Sequence, residues 1–190
     1  MANYKKLVGD LVYLSPVSTD DWQVYDKWAN DDEVSFLTFG GRTDVPQPAA
    51  GPESLEERAK GKSAFTIVDK ATDTAIGNCG FNYEDIQNHN AKIGIFIGER
   101  DYWSKGYGRD ALRLLLDFGF NVRGYNQIHL NVFEYNARAI ACYEKLGFKR
   151  QGVWRDCAIR GQKRYDCIHM DILASEYFSS SDSPSPLEIE

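Results

Sequence analysis

The sequence predicts a mixed α/β fold, in which helices flank a central sheet. Two observations lead to this prediction. An apolar run that ends at Ile97 continues through a glycine loop into a helical apolar pattern that reaches Val122. A second helical pattern over 137–146 is followed by two strand patterns, over 148–159 and 163–173. Strands that alternate with single helices in this way are typical of a sheet covered by helices.

The other elements follow from local patterns and from the residues that begin or end them. Gly124 and Gly147 are predicted to end the two helices of the second half, and Asn136 can cap the second of them. The remaining predicted elements are a strand over 11–14 ended by Pro16, a helix over 20–29 capped by Ser18 or Thr19, a short helix over 53–60, and strands over 64–69, 75–83, 91–98 and 127–133.

Two segments of the first half are predicted to be loops. The stretch 40–52 holds three prolines and three glycines, and we expect a loop there at which an acceptor enters. The run Asp31-Asp32-Glu33 is predicted to be a solvated loop, with an acidic rim that attracts amines as the alternative.

Length and composition restrict the class of protein. The chain has 190 residues and is 43% hydrophobic, which fits one domain over 1–178 and excludes wholesale disorder. The serine- and proline-rich stretch 179–190 is expected to be a disordered tail. A net charge of −6 argues against nucleic-acid binding. Neither a membrane span nor a secretory hydrophobic region is visible, so a cytoplasmic protein is expected.

The cysteines and histidines do not form a metal pattern. No two of the four cysteines show C-x-x-C spacing, and the three histidines are scattered along the chain. We therefore expect no metal, and we interpret the cysteines as buried free thiols.

The glycine loop over 104–110 is suited to binding a diphosphate. Gly106 and Gly108 can adopt backbone angles that turn successive N–H groups toward one point. The helix that follows adds unpaired N–H groups and a positive dipole end, and Lys105 and Arg109 add full charges. The loop is neither a P-loop nor a dinucleotide-binding loop, because it lacks the Gly-Lys-Ser/Thr ending and a third glycine.

The segment Asn136-Ala137-Arg138-Ala139-Ile140-Ala141-Cys142-Tyr143-Glu144-Lys145-Leu146-Gly147-Phe148 resembles the closing motif of the GNAT superfamily of N-acetyltransferases. With the upstream Lys105-Gly106-Tyr107-Gly108, and with the stretches 28–31 and 160–166, it resembles the branch that acetylates ribosomal-protein N-termini and its polyamine-acetylating relatives. The similarity spans about 11–173. The sequence departs from the family at Lys92, where a carboxylate is common.

The resemblance implies a central, mostly antiparallel twisted sheet with a splayed parallel pair, flanked by helices, and acetyl-CoA as the donor. The loop would hold the diphosphate, the main chain at 95–97 would pair with the pantetheine arm, and Asn136 would contact that arm. An amide freed by the splay would bind the thioester oxygen. The coenzyme-binding residues implied are Ile95, Phe96, Ile97, Ser104, Lys105, Gly106, Tyr107, Gly108, Arg109, Asp110, Asn136 and Tyr143.

Acetyl transfer to an amine poses two proton problems. The acceptor amine must lose a proton before it attacks, and the departing thiolate benefits from gaining one. Tyr143 matches the family's tyrosine acid, although alone it reads as a packing residue. Glu84 is the first candidate for the base, because it follows the strand that should flank the acceptor. A water chain, or one of Asp85, Glu99 and Glu134, is the alternative base.

These residues predict an acetyl-CoA-dependent N-acetyltransferase that acts by direct attack on a primary amine. The expected acceptor is a peptide N-terminus, a polyamine, an aminoglycoside or another small amine. A non-catalytic acetyl-CoA-binding sensor is the alternative. A homodimer is the default expectation for such a chain.

Overall fold

The computed structural model describes residues 4–38, 51–60 and 63–180. Eight strands in these residues form one sheet: β1 (Leu7–Val8), β2 (Val12–Pro16), β3 (Ala64–Asp69), β4 (Thr74–Asp85), β5 (Asn90–Ile97), β6 (Gln127–Phe133), β7 (Lys149–Arg160) and β8 (Lys163–Leu173). Their order across the sheet is β1-β2-β3-β4-β5-β6-β8-β7. Strand β5 runs parallel to β6 through Asn90↔Gln127, Ala91↔Ile128 and Lys92↔His129. The predicted mixed sheet with one parallel pair is confirmed for the described part of the chain.

The helices are α1 (Trp22–Ala29), α2 (Asp32–Thr38), α3 (Gly51–Ala59), α4 (Tyr107–Asp117), α5 (Ala137–Lys145) and α6 (Ala174–Ser180). A 3-10 turn over Thr19–Asp21 precedes α1, and a π-helical turn over Phe118–Val122 follows α4. No helix in the described ranges is both long and apolar enough to cross a bilayer.

The chain divides into two compact units. Unit 1 comprises residues 1–82 and 94–115, and unit 2 comprises 83–93 and 116–190. The core of unit 1 holds Trp28 and apolar residues of β2, β3, β4 and α4: Val12, Leu14, Ile67, Val68, Ile76, Leu112 and Leu115.

In unit 2 the core is formed by alternate residues of β6 and β8. Ile128, Leu130 and Val132 are buried, whereas the residues between them on β6 are only partly covered. Because strand side chains point alternately to opposite faces, β6 presents one apolar face and one polar face. On β8, Ile168, Met170 and Ile172 belong to the same apolar face.

Two helices begin within segments that were predicted to be loops. Helix α4 begins at Tyr107, so residues 107–110, predicted to lie in the glycine loop, form its first turn. The run 31–33 is not a solvated loop. Asp31 Oδ1 accepts hydrogen bonds from Glu33 N and Val34 N at 3.0 Å each and so caps α2. An aspartate before an apolar stretch is as typical of a helix start as of a loop, and the sequence alone did not separate the two.

The structure also tests the predicted helix caps and the prediction for the cysteines. Ser18 accepts a hydrogen bond from Asp20 N at 3.3 Å, as predicted for a cap. Asn136 Oδ1 likewise accepts from Ala139 N at 3.2 Å, and Gly147 has a φ of +93° at the end of α5. The four cysteines are free, as predicted, but only Cys79 and Cys167 are buried. Cys142 is partly covered, and Cys157 is exposed because it lies on β7, most of which faces solvent.

Two predicted segments lie wholly or partly outside the described residues. Of the predicted loop 40–52, only Gly51 and Pro52 are described, and they belong to α3. Of the predicted tail, residues 179 and 180 are the end of α6, and 181–190 lie outside the described residues.

Candidate active site

The glycine loop in unit 1 is held in place by aromatic side chains on either side of it. Trp103 Nε1 donates a hydrogen bond to the carbonyl of Ile97, the last residue of β5, at 2.8 Å. The rings of Tyr102 and Tyr107 meet edge to face at 4.8 Å, and Tyr102 donates to Asp69 Oδ2 at 3.2 Å. The loop is therefore fixed to the strand before it and to the helix after it.

The backbone of the loop turns its N–H groups away from internal acceptors. Ser104 and Gly106 have φ angles of +61° and +95°, while the helix starts at Tyr107. Within the described part of the chain, the N–H groups of residues 104–109 have no hydrogen-bond acceptor. Alternation of left- and right-handed residues before a helix is the arrangement of an anion-binding nest. Lys105 and Arg109 are exposed and have no ion-pair partner among the described residues.

Asp110 has a different environment from the rest of the loop. Its N–H group donates to Gly106 O at 3.0 Å. Its carboxylate is 5% exposed, and Oδ2 accepts from Leu11 N at 2.8 Å and from Val12 N at 3.1 Å. A Cβ built on Gly9 would lie 2.5 Å from the same oxygen, so the turn between β1 and β2 packs directly on this carboxylate. The side chain of Asp110 thus fastens α4 to the start of the sheet, and a role for Asp110 toward a coenzyme stays a prediction.

The two loop glycines have different structural requirements, which gives a first testable prediction. Gly106 has a φ of +95°, a conformation that costs a residue with a Cβ about 1–2 kcal/mol. A Cβ on Gly108 would lie 3.6 Å from Ile97 Cγ1, an ordinary contact, and alanine favours a helix over glycine by about 1 kcal/mol. In thermal denaturation, Gly106→Ala should lower the melting temperature and Gly108→Ala should leave it unchanged or raise it. Equal destabilisation by both substitutions would contradict this assignment.

The end of β5, predicted to pair with a pantetheine arm, closely approaches β4. A Cβ on Gly77 would lie 2.2 Å from Phe96 O, so only glycine fits at this position. The Ile97 carbonyl is occupied by the indole of Trp103. A role for the main chain of Ile95, Phe96 and Ile97 in coenzyme binding stays a prediction.

Tyr143, the predicted acid, lies on α5 in unit 2. Its side chain is 8% exposed, and its ring meets that of Phe148 edge to face at 5.8 Å. Its hydroxyl group has no hydrogen-bond partner among the residues that the structure describes. Burial, with a smaller contribution from Cys142, raises the pKa of Tyr143 above its usual value. The phenol therefore stays protonated at neutral pH, as a general acid requires.

Glu84, the predicted base, is held by two side chains of unit 2. Its carboxylate is 15% exposed, accepts from Arg123 Nη2 at 2.5 Å, and also accepts from the hydroxyl of Tyr125. Burial and the Glu84 carboxylate raise the pKa of Tyr125. A base at this position would have to give up these bonds, and the role of Glu84 stays a prediction.

The alternative carboxylates are also engaged. Glu99 accepts from Lys27 Nζ at 2.6 Å and from Trp28 Nε1 at 2.9 Å; burial raises its pKa, but these donors outweigh burial and lower it. Glu134 accepts from the Asp166 N–H group at 2.9 Å, and Asp85 accepts from Asn88 N at 2.9 Å.

One cluster in unit 2 was not predicted from the sequence. We call it the polar sheet face, and it consists of Lys92, His129, Asn131, His169 and Asp171. The register places Lys92 beside His129, His129 beside Asp171, and Asn131 beside His169. In the orientation that satisfies its neighbours, the Asn131 amide donates to His169 Nδ1 and accepts from Lys92 Nζ, both at 3.0 Å. The alternation of polar residues along β6 and β8 is visible in the sequence. Only the register of the strands shows that these residues lie side by side.

His129 on this face gives a testable pH dependence. Burial, and next the charge of Lys92, lower its pKa, whereas Asp171 raises it by less. The folded protein therefore binds this proton less readily than the unfolded chain, whose histidine pKa is about 6.5. As the pH falls below about 6.5, this group lowers the free energy of unfolding, by at most about 1.4 kcal/mol per pH unit. Urea denaturation at several pH values measures the free energy of unfolding. Between pH 7 and pH 5 this free energy should fall less in His129→Gln than in the wild type. The same dependence on pH in both proteins would contradict the prediction.

No group of three or more His, Cys, Asp and Glu residues in the described ranges is arranged to hold a metal ion.

Comparison with known proteins identifies the family. The family model described as "Acetyltransferase (GNAT) domain" matches residues 12–149. The uncharacterized N-acetyltransferase p20 of Bacillus licheniformis is 32% identical over 155 residues, which cover 79% of this chain and 85% of that protein.

Solved structures share the fold. A GNAT-family acetyltransferase from Bacillus anthracis superposes with a TM-score of 0.76 at 19% identity, covering 90% of this chain and 99% of the other. Spermidine N-acetyltransferase from Vibrio cholerae, solved with CoA and spermine, superposes with a TM-score of 0.78 at 20% identity, covering 88% and 98% of the two chains. With the family match over most of the chain and the relative at 32% identity, these findings show that the chain belongs to the GNAT family of N-acetyltransferases.

Proposed function

We propose that this enzyme transfers the acetyl group of acetyl-CoA directly to a primary amine, either a peptide N-terminus or a small amine such as a polyamine. One observation carries the proposal: the six consecutive N–H groups of residues 104–109 lack an acceptor among the described residues. A diphosphate supplies several charged acceptors to such a set of donors.

The coenzyme diphosphate would be bound mainly by the backbone of residues 104–109. Lys105 and Arg109 would add charge attraction from the exposed side of the loop. The rigid attachment of the loop through Trp103 supports this role, because donors that are already in position lose little entropy when the anion binds.

Tyr143 would donate a proton to the CoA thiolate as the thioester bond breaks. A free thiol has a pKa near 8.5, and a protonated tyrosine within hydrogen-bond reach of the thiolate can supply the proton. The hydroxyl group has no hydrogen-bond partner among the described residues, so it does not have to break a protein bond in order to act.

The acceptor amine must be neutral when it attacks the thioester carbon. The nitrogen forms the new amide bond, the carbon–sulfur bond breaks, and the amine proton leaves to a base or to water. Glu84 is the proposed base, with a water chain as the alternative route. The spermine bound in the structural neighbour from Vibrio cholerae supports a small amine as acceptor.

Turnover of acetyl-CoA with a panel of acceptors tests the proposal. The panel contains peptides with free N-termini, polyamines, amino acids and simple alkylamines, and thiol release is followed together with the mass of the product. We expect acetylation of at least one primary amine and none of its N-acetylated form.

Binding of acetyl-CoA is measured in parallel by calorimetry. Binding without transfer to any amine would support the alternative of a non-catalytic sensor. Absence of binding would contradict both, because it would remove the anion-binding role from the loop.

A further inference from the structure

We propose that the polar sheet face binds a carboxylate carried by the acceptor amine, and that Lys92 is the residue that holds it. This inference rests on the proposed function and restricts its acceptor to amines that also carry an anionic group. It is drawn from the hydrogen bonds and charges around Lys92, all of which lie within unit 2.

Lys92 is a partly buried cation without an anionic partner. Its Nζ bonds to the neutral amide oxygen of Asn131 at 3.0 Å, and it forms no ion pair among the described residues. Lysines that lose part of their hydration are usually paired with a carboxylate. Two of the three N–H groups of the ammonium therefore remain for a ligand.

The one carboxylate of the polar sheet face is already occupied. Asp171 is 6% exposed, and its two oxygens accept from Gln127 Nε2 at 2.6 Å and from Gln151 Nε2 at 2.5 Å. It lies in register with His129, which separates it from Lys92 by one strand. Asp171 thus belongs to the polar sheet face but does not pair directly with Lys92.

The other groups of the face are neutral or are donors. The lowered pKa of His129 keeps its imidazole neutral near pH 7. His169 accepts from Asn131 through Nδ1, so its proton is on Nε2, and that buried N–H group has no acceptor among the described residues. The exposed indole of Trp154 meets this ring edge to face, with centroids 4.3 Å apart. Beside the occupied carboxylate of Asp171, the polar sheet face therefore holds one cation without an anionic partner and one N–H donor without an acceptor among the described residues, and both groups can receive an anion.

Asn131 fixes the position of the ammonium. Its amide nitrogen also donates to Leu130 O at 3.0 Å, so the side chain is tied to its own strand as well as to His169. A cation held in one place by a rigid acceptor binds an anion with less loss of side-chain entropy than a freely rotating lysine does. Asn131 is accordingly a positioning residue for Lys92.

The test compares matched acceptors with and without a carboxylate. A series of ω-amino acids of increasing chain length is paired with alkylamines of equal carbon number, and kcat/KM is corrected for the fraction of free amine. The wild type should prefer the ω-amino acids at one or more chain lengths. Lys92→Met should reduce that preference by about 10- to 100-fold, the usual effect of losing a hydrogen bond to a charged group. Lys92→Glu should reverse the preference, so that alkylamines are favoured. Lys92→Arg, which keeps the positive charge, should retain most of the wild-type preference.

Lys149 provides the control. It lies on β7 in register with Asp171, but its side chain is exposed and paired with Glu176. Lys149→Met should leave the preference unchanged. Equal preferences in the wild type and Lys92→Met, or a wild type that favours alkylamines at every length, would overturn the proposal.

A second readout is independent of turnover. Ring signals of His129 and His169 in histidine-labelled protein are followed by NMR during titration with propionate and, separately, sulfate. A saturable change with propionate that is absent in Lys92→Met supports the carboxylate site even if no amine is acetylated, an outcome that would contradict only the proposed function. No change, or an equal response to sulfate, would overturn the assignment to an acceptor carboxylate.

Discussion

Replacing Tyr143 by phenylalanine should lower kcat by about 10²- to 10⁴-fold, the range expected when a general acid is lost. Stability should change by less than about 0.5 kcal/mol, because the hydroxyl has no hydrogen-bond partner among the described residues and the ring contact with Phe148 is kept. Steady-state kinetics and thermal denaturation of the same samples measure the two effects. A loss of activity without a loss of stability is the expected signature of a residue that acts in the chemistry.

The pH dependence of kcat adds a second check on Tyr143. Activity that needs the protonated phenol falls as the pH rises through its pKa, and burial raises that pKa. The wild type should therefore show no alkaline loss of kcat from this group below about pH 10. Tyr177→Phe, which alters a tyrosine of α6, serves as the control and should leave kcat unchanged. An unchanged kcat in Tyr143→Phe would remove the residue from the mechanism.

Replacing Asp110 by alanine should lower the free energy of unfolding by about 3 kcal/mol. The substitution leaves the N–H groups of Leu11 and Val12 without their shared acceptor, and each unpaired buried donor costs about 1–3 kcal/mol. It also opens a gap beneath Gly9, which packs on the carboxylate. Urea denaturation followed by circular dichroism measures the loss.

Two variants accompany Asp110→Ala. Asp110→Asn keeps an oxygen that can accept from both N–H groups and should cost clearly less than the alanine variant. Asp101→Ala, at an exposed position just before the loop, should be within about 0.5 kcal/mol of the wild type. If Asp110→Ala were as stable as the wild type but failed to bind acetyl-CoA, Asp110 would belong to the coenzyme site and not to the framework of the fold.

The elements with strong local signals were predicted closely. Strands β6 and β8 have the predicted bounds, 127–133 and 163–173. The helix α5 begins after its asparagine cap and ends before a glycine with positive φ. Alternation, capping and glycine geometry are properties of a few consecutive residues, so they can be read without knowing the fold.

The start of α4 and the nature of residues 31–33 were predicted wrongly because local patterns were compatible with two structures. The local pattern around Gly108 predicts a loop, but Gly108 lies in the first turn of α4. Asp31 reads as a solvated acid, yet it caps α2 and accepts from Arg100 Nη2 at 2.5 Å. The arginine is 69 residues away in the sequence, so this contact could not be expected from the segment itself.

The sequence by itself determined the family, through the loop at 104–108 and the motif at 136–148, and it determined the alternation that makes β6 polar on one face. Only the tertiary structure decided that Asp110 fastens α4 to β2, that Glu84 bonds to Arg123 and Tyr125, and that Lys92 meets Asn131. The physical reason is that caps, turns and strand periodicity are fixed by adjacent residues. The partner of a side chain depends on strand register and on packing between segments far apart in the chain.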